Sequence, residues 1–266
     1  MPNISPLAYV HPEARLADDV RVEAFVFIDK DVEIGPGCHI MSHASIIGGS
    51  SIGPGTTIYD GCVIGADPQD FRWKGEKGRC VIGADTKIYQ HVIINRSIHE
   101  GAATTIGDHS YIMAQTHIGH DSHVGNYCVI GNGVKVAGDC RIGNYSILSS
   151  GVIVHEKCHI GEWVLVKGGC RVNNHVPPYS IMAHNPITYF GVNAFVLRKG
   201  KMPEDRIDDI AKCYRHIYQC GTSLFNAMKR IQVDITPSEE RDAILAFIRD
   251  HGMHIAAVPI DINDYD

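Results

Sequence analysis

An aliphatic residue returns at every sixth position along two thirds of this chain, and few folds tolerate that period. Stepping by six from Ile4 to Val172, 26 of 29 positions hold Ile, Val or Leu. The period matches neither an α-helix at 3.6 residues nor a flat strand at 2. The next position is often glycine, as at Gly35, Gly53, Gly65, Gly83, Gly107, Gly119, Gly125, Gly131, Gly143 and Gly161. A mostly β-branched residue followed by one free to bend predicts a solenoid of short strands that turns at those glycines, where positive φ costs little. If each hexapeptide forms one flat side, three hexapeptides close a triangular coil with the aliphatics inside. Each buried aliphatic contributes roughly 2 kcal/mol, which offsets much of the entropy of ordering the chain.

The three positions that break the pattern are Asp70, Glu76 and Glu100. Stretches 66–79 and 95–104 are therefore expected to leave the coil as loops that return in phase, and long insertions on a repeat scaffold tend to carry function. After Val172 the period stops at Asn173-Asn174-His175-Val176-Pro177-Pro178-Tyr179, and 3–4 spacing takes over. Helices are predicted over Asp205–Cys220, Ser223–Ile231 and Ser238–His251, the last capped by Ser238. The expected organisation is a β-solenoid over 1–184 and a helical C-terminal region over 185–266.

Charge and hydropathy narrow the function classes. Hydrophobic residues make up 44% and charged residues 20%, which excludes a disordered chain. A net charge of -6 argues against a phosphate-backbone binder, so no nucleic-acid partner is expected. No apolar run is long enough to span a membrane, and Met1-Pro2-Asn3-Ile4-Ser5 does not open a secretory signal, so a cytoplasmic protein is expected.

Of nine cysteines, seven sit two residues before an aliphatic slot: Cys38, Cys62, Cys80, Cys128, Cys140, Cys158 and Cys170. None forms a Cys-x-x-Cys pair. They read as reduced, inward-facing filler. The segment His117-Ile118-Gly119-His120-Asp121-Ser122-His123 is less easily dismissed. An exposed histidine cluster beside a carboxylate suits acid–base work, because the carboxylate orients the imidazole and sets its tautomer. Metal ligation and a purely structural role remain open on spacing alone. Zinc carbonic anhydrases built on hexapeptide coils bind metal through three histidines, for which His91, His117 and His123 are the candidates. Their near pair reads His-x4-His, whereas x2 and x5 are found here.

Hexapeptide coils resemble the left-handed parallel β-helix family. The bend His117-Ile118-Gly119-His120-Asp121 followed by Val124-Gly125-Asn126 resembles the acyl-carrier-protein–UDP-N-acetylglucosamine O-acyltransferases of lipid A biosynthesis. So do Val63-Ile64-Gly65-Ala66-Asp67-Pro68-Gln69-Asp70, Val176-Pro177-Pro178-Tyr179 and Phe190-Gly191-Val192-Asn193. The resemblance implies transfer of a 3-hydroxyacyl chain from acyl carrier protein to the glucosamine 3-hydroxyl of UDP-N-acetylglucosamine, with no metal or other cofactor. It implies His120 as general base, Asp121 as its orienting partner and the Gly138 N–H as oxyanion donor. Repeat phase independently puts Gly138 one coil beyond His120. Substrate contacts are implied at Gln69, Asp70, Arg72, His117, Asp139, His155, Glu156, Asn193 and Lys199, and an acyl-chain ruler at Gly168. That glycine leaves the groove open, which implies a long donor of about 14–16 carbons.

The chain departs from the family pattern at Asn95, at Ser97, at Asp139 and Glu156 (for histidine and glutamine), and at Phe195 and Gly200. A homotrimer is implied, with His120 of one chain facing loop residues of another, so that His120 and Asp70 variants would complement in mixed trimers. A zinc lyase and an inert hexapeptide scaffold are the readings from other classes.

Overall fold

In the computed structural model, which describes residues 1–257, mostly two-residue strands repeat along the coil and stack into three sheets of 11, 9 and 8 strands, parallel except for the last strand of the first. Ile4 pairs with Val22 and Val22 with Ile40, so each coil takes three hexapeptides and the aliphatic slots lie directly over one another. From Val22 onward these side chains are almost wholly buried and form one continuous core along the prism axis. The architecture is the left-handed parallel β-helix with a helical C-terminal region.

The insertions keep phase as expected. Ile64 pairs with Ile94 and Ile94 with Ile118, each partner a whole number of hexapeptides further along the chain. The departures are shorter than the sequence suggests. Strands persist through Ala66 and Asn95 and resume at Arg79 and Ala103, which leaves 67–78 and 96–102 as the loops.

The glycines after the aliphatics work differently from the expectation. Of the ten, Gly65 alone has positive φ. The left-handed residue falls two positions later and is usually not glycine: Asp85, His109, Asp121, Tyr127, Asp139 and Tyr145 all lie near φ 51–59°. Asp and His tolerate that region better than most residues. The glycines are required by close approach between coils instead. A Cβ on Gly53 would lie 2.6 Å from the Gly83 carbonyl carbon, and no relaxation of one side chain would relieve that.

The seven coil cysteines are free and at most 5% exposed, as expected of filler. Burial pushes the thiols of Cys62, Cys80 and Cys140 up to about 12, so they are neither nucleophiles nor ligands at neutral pH. Cys140 gives its hydrogen to the His155 carbonyl at 3.1 Å, as Ser122 one coil earlier does to Ala137 at 2.8 Å.

Past the coil, Ser180–Ala183 joins the first sheet and turns back as an antiparallel hairpin with Thr188–Val192. That hairpin straddles residue 184 and ties the helical region to the coil. Four helices follow: α1 Ala194–Lys199, α2 Glu204–Tyr218, α3 Leu224–Asp234 and α4 Glu239–His251. Ser223 and Ser238 cap α3 and α4 through their side chains. The hairpin and α1 carry no helical or hexapeptide period, and no sequence pattern predicts them. The helices enclose a second core around Tyr214, Ile210 and Ile244, and Tyr189 of the hairpin packs against both cores. No helix among the described residues is long and apolar enough to cross a membrane.

Candidate active site

His120 follows the strand His117–Ile118 where the chain turns from the second sheet to the third. The next coil pairs Lys135 and Val136 with that strand, which puts Gly138 directly over His120. The ring packs so closely on the Gly138 Cα that any side chain there would displace it. Among the described residues, no acceptor takes the Gly138 N–H. His120 is only 6% exposed, so the central histidine is buried where the sequence suggests an exposed one, while His117 is half-buried and His123 exposed.

Both imidazole nitrogens face carboxylates. Nδ1 lies 2.9 Å from Asp121 Oδ2 and Nε2 lies 3.2 Å from Asp70 Oδ2. Asp121 takes a left-handed turn, and its own N–H donates to Thr104 Oγ1 at 2.8 Å. Its carboxylate accepts from the Ser97 hydroxyl and from the Ile98 N–H, the latter at 3.1 Å. Burial pushes the Asp121 carboxyl up, but these donors and His120 outweigh it and hold it below its ordinary value. Ser97, Ile98 and Thr104 belong to the second insertion and its return strand; Ser97 stands out in the sequence only as a departure from the family pattern, and Ile98 and Thr104 not at all.

Asp70 comes from the first loop. Arg72 clamps it with a guanidinium fork, Nε to Oδ1 at 3.0 Å and Nη2 to Oδ2 at 2.7 Å, and with its backbone N–H at 2.7 Å. These bonds hold the Asp70 carboxyl far below the carboxylate range. Arg72 Nη2 also lies 3.4 Å from Glu156 Oε1 and 3.8 Å from Asp139 Oδ2. The two acidic departures from the family pattern thus converge on one arginine, which supplies their counter-charge. Asp70 and His120 meet within a single chain, which overturns the expectation that these two residues come from different subunits.

A cavity of about 340 Å³ opens beside His120, lined also by Gln69, Asp70, Asn95, His117, Gly138, Ile153 and Glu156. His117 binds Asn95 Oδ1 through Nε2 at 2.7 Å. Burial, then the charges of Lys135 and His120, push its pKa down, so it is neutral at pH 7. His155, two coils beyond His120 and next to Glu156, is exposed, and Gly168 is exposed on another edge; neither lines this cavity. Asn193 is buried, with Nδ2 bonded to the Trp163 carbonyl at 2.8 Å. The Lys199 ammonium lies over the Phe195 ring at 4.7 Å. The Gly200 departure has a steric reason, since a Cβ there would lie 2.5 Å from the Trp163 ring.

The zinc set does not assemble. His117 pairs across the second sheet and His123 across the third, where His123 lines a separate groove with Arg141 and His159. Among the described residues, His120, Asp121 and Asp139 are the one group with ligand atoms close enough for a metal. Asp121 already orients His120 there, and Asp139 faces Arg72.

A histidine–carboxylate pair and an N–H without a protein acceptor, side by side on a hexapeptide β-helix, define a transferase of the bacterial hexapeptide class, and that repeat's family model matches residues 103–138. Residues 175–255 match the model described as UDP N-acetylglucosamine O-acyltransferase, domain 2, and residues 4–101 that of the GMPPB C-terminal domain. The chain is 38% identical to the UDP-N-acetylglucosamine acyltransferase of Bacteroides fragilis over 97% of its own length and 100% of that chain, with a TM-score of 0.92. It belongs to the UDP-N-acetylglucosamine acyltransferase family. The structure from Acinetobacter baumannii is 29% identical with a TM-score of 0.91, covering 95% of this chain and 99% of that one. The acyl-carrier-protein–UDP-N-acetylglucosamine O-acyltransferase of Chlamydia pneumoniae is 39% identical over 77 residues, 29% of this chain. That matched stretch spans only 28% of the Chlamydia protein.

Proposed function

We propose that this chain transfers a 3-hydroxyacyl group from an acyl-carrier-protein thioester to the glucosamine 3-hydroxyl of UDP-N-acetylglucosamine, the first step of lipid A biosynthesis. The observation that carries it is the oriented pair His120–Asp121, 2.9 Å apart, beside the Gly138 N–H. A sugar hydroxyl is a poor nucleophile at neutral pH and needs a base at hydrogen-bond distance. With Asp121 holding Nδ1–H, Nε2 is the basic nitrogen. The hydroxyl takes the place of Asp70 at Nε2 and loses its proton there as its oxygen attacks the thioester carbonyl. The Gly138 N–H supports the resulting oxyanion. Collapse breaks the C–S bond, and His120 returns the proton to the departing thiolate, leaving an O-acyl ester and free carrier thiol. No covalent enzyme intermediate or metal enters the scheme.

Gln69, Asp70, His117, Asp139 and Glu156 surround the acceptor and Arg72 sets their charge. His155, Asn193 and Lys199 are assigned to the sugar nucleotide at the edge of the site, and Gly168 to the end of the acyl groove. The active assembly is a homotrimer in the cytoplasm, whose clefts bring these outlying residues to the cavity of a neighbouring chain. Incubating the protein with UDP-N-acetylglucosamine and 3-hydroxyacyl carrier protein tests the proposal. Formation of the 3-O-acyl product supports it, and release of free acid alone overturns it.

A further inference from the structure

Asn95 is 1% exposed, a buried amide at the β-bulge where the strand Ile93–Asn95 meets Ala66. Its orientation is dictated by what surrounds it. Nδ2 donates to the Asp67 carbonyl at 2.6 Å and points at the Ala66 carbonyl at 3.5 Å, and backbone carbonyls only accept. The amide nitrogen must therefore face them, and Oδ1 must face His117. Oδ1 also only accepts, so the His117 nitrogen 2.7 Å away, Nε2, must carry the proton. The ring is kept neutral by burial and by Lys135 and His120 nearby. A neutral imidazole protonated at Nε2 has a bare lone pair at Nδ1. That is its one remaining polar atom, and His117 lines the cavity beside His120.

We infer that Asn95 is a positioning residue that locks His117 as an acceptor, so that Nδ1 takes a hydrogen bond from a hydroxyl of the bound substrates and rejects any group that can only accept. With Nδ2 pinned by two carbonyls, the asparagine can only accept a hydrogen bond from the ring. The hydroxyl comes either from the acyl donor's 3-position or from the sugar, and the inference rests on the proposed activity for that choice.

Nitrogen-15 NMR of the intact, histidine-labelled protein tests the tautomer without any assay, with His117→Gln used to assign the signal. The expected spectrum at pH 7 shows His117 Nε2 protonated and Nδ1 bare. A protonated Nδ1 overturns the inference even if acyl transfer is confirmed, and a failed transfer assay leaves the tautomer result standing. Kinetics then identify the partner. Asn95→Asp, which favours a charged His117 with a proton on Nδ1, is expected to raise KM about tenfold for the hydroxylated ligand that His117 binds. The rise should vanish for a donor lacking the 3-hydroxyl if the acyl chain is the source, or for a deoxy-sugar acceptor if the sugar is. An equal rise with every ligand, hydroxyl present or absent, overturns it.

Discussion

His120 Nε2 lies 3.2 Å from Asp70 Oδ2, two side chains far apart in sequence that meet within one chain. The first insertion is long enough to leave the coil and fold a carboxylate back onto the base, and Arg72 clamps it through four hydrogen bonds. A base and its nearest substrate-side carboxylate are thus parts of one subunit. Reassembled trimers of His120→Ala and Asp70→Ala chains should recover no activity beyond that of either parent, measured on trimers verified to be mixed. Substantial recovery would place the working Asp70 in a neighbouring chain.

Among the described residues, the hydroxyl of Ser97 is the one side-chain donor to Asp121 other than His120 itself. Without it, burial presses harder on the carboxylate and the His120 ring loses a firm partner. Ser97→Ala is expected to lower kcat roughly tenfold, about 1.4 kcal/mol in the transition state, with KM little changed. An unchanged kcat would show that the Ile98 N–H suffices to hold Asp121.

The helical region is docked on the coil through histidines. His159 Nδ1 meets His251 Nε2 of α4 at 2.8 Å, and His175 stacks on His251 with ring centroids 4.1 Å apart. Burial, then the charges of His251, Arg141 and His175, push His159 down to about 4, against a weaker opposing pull from Asp250. Between its ordinary value near 6.5 and 4, the unfolded chain binds a proton that the folded chain refuses, so stability falls as pH drops through that window. Thermal scans at pH 7.5 and 5 should show a fall in Tm of a few degrees (~2–4 °C per kcal/mol). His159→Gln should flatten the difference. An equal slope in the variant would remove His159 as its cause.

Gly168 has ordinary φ, and a Cβ there would meet the Ser150 carbonyl oxygen at 3.2 Å, a contact a small shift relieves. Each methylene excluded from an apolar groove costs roughly 0.8 kcal/mol, about fourfold in affinity. Gly168→Met is expected to move donor preference shorter by several methylenes while the short-chain rate survives. Equal loss at every chain length would mark Gly168 as a turn residue and nothing more.

The coil is legible because one period fixes both which side chains face inward and how many residues close a turn. Gly138 over His120 follows from the same count. The glycines mislead because close approach between coils and freedom at positive φ leave the same letter in the sequence; only the backbone separates them. That Ser97 meets Asp121 and that Arg72 meets Asp139 and Glu156 cannot be read, because Ser97 and Arg72 sit on insertions and no repeat fixes where an insertion folds. Asn95 stands out as a departure, yet its partner His117 depends on a bulge between Ala66 and Asn95 that periodicity cannot register. The hairpin and α1 escape notice because each is too short to show a period.

His120 is proposed as the base that removes the proton from a sugar hydroxyl during acyl transfer. The most direct test of that role is kcat for 3-O-acylation of UDP-N-acetylglucosamine from a 3-hydroxyacyl carrier-protein thioester, wild type against His120→Ala. Product is expected with the wild type and a loss of roughly 10²–10⁴ in the variant, whose fold is checked by circular dichroism. A variant retaining more than about a tenth of wild-type kcat would contradict it.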